Sequence, residues 1–196
     1  MILKHAIAAM ILAPALGVGG CGAGGDEGDP GSGNPESEVS VDEATAPLET
    51  GPPELRALRD EANELLGGGV EAFEERLASL EGHPVVVNKW ASWCGPCRFE
   101  FPFFQAQAEE RGGEVAFLGI DSNDSEEAAA TFLEELPLPY PSYLDPGQDL
   151  ADEFLDNARE FPATAFYDSS GELAYVHLGG YPDEKTLAAD IDRYAR

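Results

Sequence analysis

The spacing of apolar and polar residues changes rhythm along this chain, and each change marks an element. From Pro53, the segment PPELRALRDEANELL opens on proline and sets Leu55, Leu58, Ala62, Leu65 and Leu66 at helical spacing. It predicts a helix that Gly67-Gly68-Gly69 stops. VEAFEERLASL predicts a second amphipathic helix, with Phe73, Leu77 and Leu80 on one face. HPVVVNKW is a short apolar run, the pattern of a strand buried on both faces. GPCRFEFPFFQAQAEER reads as a helix with a potential kink at Pro102. EVAFLGID predicts another buried strand, and SNDSEEAAATFLEEL opens on cap residues and continues as a helix. PLPYPSYLD is Pro-rich and extended, and GQDLADEFLD is a short helix. PATAFYD, an SSG turn and ELAYVHLG predict a hairpin, and DEKTLAADIDRYAR a closing helix. Strands alternating with helices, then a hairpin and a helix, predict an α/β fold with a central mixed sheet flanked by helices on both faces.

Upstream the texture differs. Residues 1–20, MILKHAIAAMILAPALGVGG, place one cation before an uncharged run from Ala6 to Val18. The run is short for a membrane span and has the shape of a signal peptide. Val18-Gly19-Gly20-Cys21 resembles the bacterial lipobox, which implies that Cys21 becomes a lipidated first residue and anchors the chain to a membrane. A plain secretory signal or an uncleaved anchor are the alternatives, and each places the domain outside the cytoplasm. The segment up to residue 52 is rich in Asp, Glu, Gly, Ser and Pro, without Lys or Arg. It holds too little apolar matter to offset chain entropy and reads as a disordered acidic tether over 21–52. The folded domain is then expected over 53–196, a core domain with an N-terminal helical extension.

Composition narrows function by exclusion. Hydrophobic content is 43% and charged content 25%, ordinary for a globular domain. The balance of 38 acids against 11 Lys and Arg, a net charge of −27, opposes binding to nucleic acid. It equally opposes attachment to an anionic membrane by charge alone, and it suits basic partners.

Three cysteines occur, Cys21, Cys94 and Cys97, too few for a disulfide-stapled scaffold. The pair in NKWASWCGPCRFEFP has several readings. A structural zinc needs four ligands, and the domain adds only His83 and His177, so no metal is expected. Haem attachment needs a His directly after the second cysteine, where Arg98 stands. A structural bridge across so small a loop would stabilise little. Redox exchange suits the placement better. Cys94 follows a strand and opens a helix, where unpaired N–H groups and the helix dipole favour a thiolate. Cys97, one turn in, is placed to resolve a mixed disulfide. Gly95 and Pro96 fit a helix start, and Trp93 forms an apolar wall beside the pair, by packing or by substrate contact.

WCGPC after a buried strand resembles the thioredoxin superfamily, and VVVNKWASWCGPCRFEFP is similar to its TlpA/ResA-like branch of extracytoplasmic thiol–disulfide oxidoreductases. FLGIDSND and EFPATAFYDSSGEL extend the resemblance over roughly residues 70–196. It implies a thioredoxin-like fold, with Cys94 as nucleophile and Cys97 as its resolving partner. It also implies that Pro162 follows a cis Phe161-Pro162 bond facing the pair, and that Phe161 offers its backbone to an extended substrate. Glu100 matches the acid of the branch's CRxE signature, one turn beyond Cys97, placed to take its proton. Trp93, Gly95, Pro96, Phe161 and Pro162 are the expected substrate contacts. Asn88 stands where cytoplasmic thioredoxins carry a buried Asp, which shifts the proton-transfer task to Glu100. Lys89 departs from the branch, where an aromatic is common. It is expected either to keep its head exposed on an aliphatic stem or to pair with an acid such as Glu100.

These features imply a membrane-tethered enzyme that exchanges disulfides with protein substrates, with no cofactor and with a membrane electron-transfer partner. CGPC leans toward a reductant, as in cytochrome c maturation, because thioredoxin's potential is about −270 mV against about −120 mV for DsbA. The alternatives are a disulfide-forming oxidase and a non-catalytic module with the pair locked.

Overall fold

The computed structural model describes residues 39–196 of the chain. In order they form α1 (Val41–Ala44), α2 (Pro53–Arg59), β1 (Leu65–Leu66), α3 (Gly69–Ser79), β2 (Val85–Trp90), α4 (Gly95–Arg111) and β3 (Ala116–Ser122). Then follow α5 (Glu126–Glu135), β4 (Ser142–Asp145), α6 (Asp149–Phe154), β5 (Ala163–Tyr167), β6 (Leu173–Leu178) and α7 (Glu184–Tyr194). The strands build one six-stranded sheet in the order β1-β4-β3-β2-β5-β6. β1 to β4 run parallel to one another, and β5 and β6 are antiparallel additions. The mixed α/β architecture with helices on both faces is the one the apolar rhythm predicts.

β2 and β3 are central and buried along their whole length, which is why both open on apolar runs, and their polar residues Asn88, Lys89, Asp121 and Ser122 are buried with them. Val86 and Trp90 of β2 face one core with Phe101 and Phe104 of α4, Phe132 of α5, and Leu187 and Ile191 of α7. Val85 and Val87 face the other, with Leu55 and Leu58 of α2, Phe73 of α3, and Leu150 of α6. Gly119 of β3 lets the indole of Trp90 come close. A Cβ there would lie 2.1 Å from Ser142 Oγ, the atom that accepts the Trp90 Nε1–H bond at 3.2 Å.

Two expectations need correction. The helix beginning at Pro53 stops at Arg59, and Leu65-Leu66 forms a short strand paired with β4. Asn63 turns the chain with φ 63°, and its side chain accepts from Leu138 N and donates to Leu133 O. These partners lie some seventy residues away, so helical spacing gives no sign of them. The expectation of disorder up to residue 52 does not hold for residues 40–46. Ser40 and Glu43 form a reciprocal capping box over α1, Ala44 is fully buried, and Ala46 O accepts from Arg59 Nε. Arg59 also pairs with Glu109 of α4. A few apolar residues and one arginine suffice to dock a stretch that is acidic on average. The expected signal peptide and Cys21 lie outside the described residues. Among the described residues, no helix is long and apolar enough to cross a membrane.

Candidate active site

β2 delivers the chain to the cysteines. After Trp90, the turn Ala91–Trp93 is held by two bonds: Ser92 N donates to Asp124 Oδ2 at 2.5 Å, and Trp93 Nε1 to Asn123 O at 3.0 Å. Cys94 is the N-cap of α4, and its Sγ accepts the Cys97 N–H at 3.1 Å. Pro96 lies in the first turn, where its missing N–H needs no intrahelical partner. Cys94 and Cys97 form a disulfide, with Cα atoms 5.3 Å apart. Cys94 is nearly and Cys97 fully buried, whereas Trp93, next to Cys94 in the chain, is 55% exposed. In the reduced protein, a Cys94 thiolate at this position meets the Cys97 N–H and the positive end of a 17-residue helix.

Glu100 lies three residues beyond Cys97 and is fully buried. Its carboxylate accepts from Asn88 Nδ2 at 2.9 Å and from Tyr181 N at 3.0 Å. Burial outweighs both bonds and pushes the Glu100 pKa up to about 8. A carboxyl tuned there is matched to a thiol, whose ordinary pKa is about 8.5, so a proton can pass between the two near pH 8, where about half of Glu100 is ionised.

Phe161-Pro162 is a cis bond directly before β5. Pro162, Pro96 and Glu100 converge on Gly180: a Cβ there would lie 3.6 Å from each proline and 3.7 Å from Glu100 Oε2. The Phe161 ring packs on Trp93 at 4.8 Å between centroids. Trp93, Gly95 and Pro96 flank the cysteines in the chain, Phe161 packs on Trp93, and Pro162 and Pro96 both stand beside Gly180.

Lys89 departs from both expectations. It is fully buried, its Nζ donates to Ala158 O at 2.8 Å, and the same atom stands 3.9 Å from the centroid of the Phe161 ring. Glu100 is not its partner, because alternation along β2 sends Lys89 to the face opposite Asn88. Burial lowers the Lys89 pKa, against the raising influence of Asp145.

Sequence reasoning missed three contributors. Gly180 and the Tyr181 amide act through backbone, and the Gly179-Gly180 pair was their only signal. Asp121, at the end of β3, is buried beside Asp124, and burial, with Asp124 as the second cause, pushes its pKa up to about 8. A single acid ending an apolar strand gives no sign of that neighbour. His83 and His177 join no metal cluster among the described residues; His177 stacks on Tyr181 at 4.1 Å.

Residues 74–191, more than half of the chain, match the sequence model of one family, described as Redoxin. The chain belongs to the Redoxin family. This redoxin is 29% identical over 118 residues to the thiol-disulfide oxidoreductase ResA of Halalkalibacterium halodurans, covering 59% of this chain and 65% of that one. It is 32% identical over 113 residues to the ResA of Oceanobacillus iheyensis, covering 56% and 57%. The redoxin therefore spans less than two thirds of the length of these curated relatives. Among solved structures it is similar to dsbF from MTB, with TM-score 0.54, 28% identity and coverage of 59% and 83%. It is also similar to a DsbF homologue from Corynebacterium diphtheriae, with TM-score 0.51, 28% identity and coverage of 60% and 75%. The thioredoxin-like fold and the kinship with ResA-type proteins agree with the sequence resemblance.

Proposed function

We propose that this redoxin is a thiol–disulfide oxidoreductase that exchanges disulfides with extended protein substrates outside the cytoplasm. The observation that carries the reading is the cysteine pair at the N-terminus of α4 with the buried Glu100 carboxyl one turn behind it. In the reduced protein, the Cys94 thiolate attacks one sulfur of a substrate disulfide. That S–S bond breaks, the second substrate sulfur leaves as thiolate, and a mixed disulfide forms against Trp93, Pro96, Phe161 and Pro162. Glu100, in its ionised form, takes the proton of Cys97, whose thiolate attacks Cys94 Sγ and releases the first substrate sulfur. Two electrons pass to the substrate, and the Cys94–Cys97 disulfide remains.

Turnover then needs a dithiol donor at the membrane. Cys21, as a lipid anchor, would keep the domain near it, with the acidic segment as spacer. The reading includes the reductant direction, with maturation of c-type cytochromes as one setting. Its support is the CGPC sequence and the similarity to proteins named ResA.

The test is trapping with cysteine variants. Cys94→Ser is expected to lower disulfide exchange to background, a loss of about 10³-fold or more. Cys97→Ser is expected to hold substrates as mixed disulfides that survive non-reducing electrophoresis and vanish with dithiothreitol. Full exchange by Cys94→Ser would overturn the assignment of nucleophile.

A further inference from the structure

Lys89 is a costly residue to bury, and neither the cysteines nor Glu100 accounts for it. The segment it holds is itself unusual. Between α6 and β5, Asp156 and Asn157 both have positive φ, 52° and 60°, a conformation that non-glycine residues enter at a cost. Ala158 follows, buried, and its carbonyl accepts the Lys89 Nζ–H bond. Three residues on, the Phe161 ring lies over the same nitrogen, 3.9 Å away, and packs on the exposed Trp93. One buried cation thus touches the connection at two points and reaches the wall of the candidate site through a ring. A cation against an aromatic face gains most where water is excluded, as it is here.

We infer that Lys89 is a positioning residue of the substrate groove: by fixing Ala158 O and the Phe161 ring, it sets the Trp93–Phe161 wall and the cis-proline segment in the shape that receives an extended peptide. This rests on the exchange activity proposed above and adds a task for the face of the sheet away from Glu100. Lys89 stands on that face, level with Ala163 at the start of β5. It therefore acts on peptide binding and leaves sulfur chemistry alone.

Lys89→Met separates this task from a structural one. Methionine keeps an unbranched apolar stem, removes the desolvated charge and leaves the Ala158 carbonyl without its donor. The full chain, solubilised in detergent and pre-reduced, is mixed with either a disulfide-bonded peptide or bis(2-hydroxyethyl) disulfide, and its single-turnover oxidation is followed. The expected result for Lys89→Met is a rise of about tenfold in half-saturating peptide concentration. The limiting rate, and the rate with the small disulfide, are expected to stay within about twofold of wild type. Lys89→Gln, which keeps an N–H donor on the side chain and removes the cation from the Phe161 ring, is expected to raise peptide half-saturation several-fold with the limiting rate within about twofold of wild type, and it decides the matter if Lys89→Met does not fold. Unchanged half-saturation, or an equal loss with both disulfides, would overturn the positioning role. A wild-type protein that reacts with neither disulfide would overturn the exchange activity, and this role with it.

Discussion

Asn88 and Lys89 are adjacent in β2, yet they serve opposite faces of the sheet and bury opposite charges. On the Asn88 face a carboxyl, Glu100, receives two N–H bonds and titrates near pH 8. On the Lys89 face an ammonium receives one carbonyl and one ring. Burial disfavours the charged form of both, raising the acid and lowering the base. The difference lies in what each group can then do. Glu100 lies on the cysteine helix, and its pKa is brought into the range of thiols, so it can exchange a proton. Lys89 touches backbone and ring across the sheet from the cysteines, so it can only hold shape. A buried charge therefore serves chemistry or geometry according to the face its strand position gives it.

The largest break of this comparison is Glu100→Gln. Removing the proton acceptor is expected to slow resolution of the mixed disulfide by about 10²-fold or more, read by rapid quench. The same variant tests the burial directly. With a folded pKa of about 8 against 4.5 for the free group, wild-type Glu100 keeps its proton in the folded state while the unfolded chain releases it. The native state then binds more protons, so stability falls as pH rises from about 4.5 to about 8 and levels off above. The full span is on the order of 4–5 kcal/mol at 1.36 kcal/mol per pH unit. Asp121, raised from 3.8 to about 8, adds a fall of the same sign over a similar window. Urea midpoints at pH 5, 7 and 9 should therefore drop less steeply for Glu100→Gln than for wild type, while a slope from Asp121 remains. Equal slopes would contradict the buried, proton-holding state of Glu100.

A smaller effect sharpens the comparison. Asn88→Ala removes a bond that favours the Glu100 carboxylate, so the acid should titrate still higher. The change is expected to be about one pH unit, on the order of 1–2 kcal/mol, and visible as a shifted pH–rate profile of resolution. The smallest is a control that removes a helix cap and leaves the Asp124 bonds to Ser92 N and Ser125 N in place. Ser125 Oγ accepts Ala128 N–H at the start of α5, and Ser125→Ala should cost about 1 kcal/mol in urea unfolding with no change in the pH–rate profile.

The elements nearest the chemistry were the most legible. VVVNKW and GPCRFEFPFFQAQAEER became β2 and α4 because an apolar run and a Pro-opened helix leave few alternatives. The helix runs on through Pro102 to Arg111. The cysteine spacing was legible from helical geometry, and the acid at Glu100 from its match to the CRxE signature, with the same geometry placing it one turn from Cys97. Less legible was whatever depended on a distant partner. Leu65 and Leu66 fit a helix until Asn63 finds Leu133 and Leu138. Ala44 sits in an acidic stretch that docks because Arg59 reaches Ala46 and Glu109. The Tyr181 amide holds Glu100 with a backbone group that every residue type carries. Lys89 was visible as an anomaly, but its partners are a carbonyl and a ring supplied by the chain between α6 and β5.

The most direct test of exchange chemistry is the redox equilibrium of the Cys94–Cys97 pair in the full chain, measured in thiol–disulfide buffers with alkylation of free thiols. The account predicts a reversible two-electron transition near the thioredoxin value of about −270 mV. A midpoint near the DsbA value of about −120 mV would keep the exchange and reverse its direction. A bridge that stays closed and unlabelled across the whole range would contradict the central claim that this disulfide is the working part of the protein.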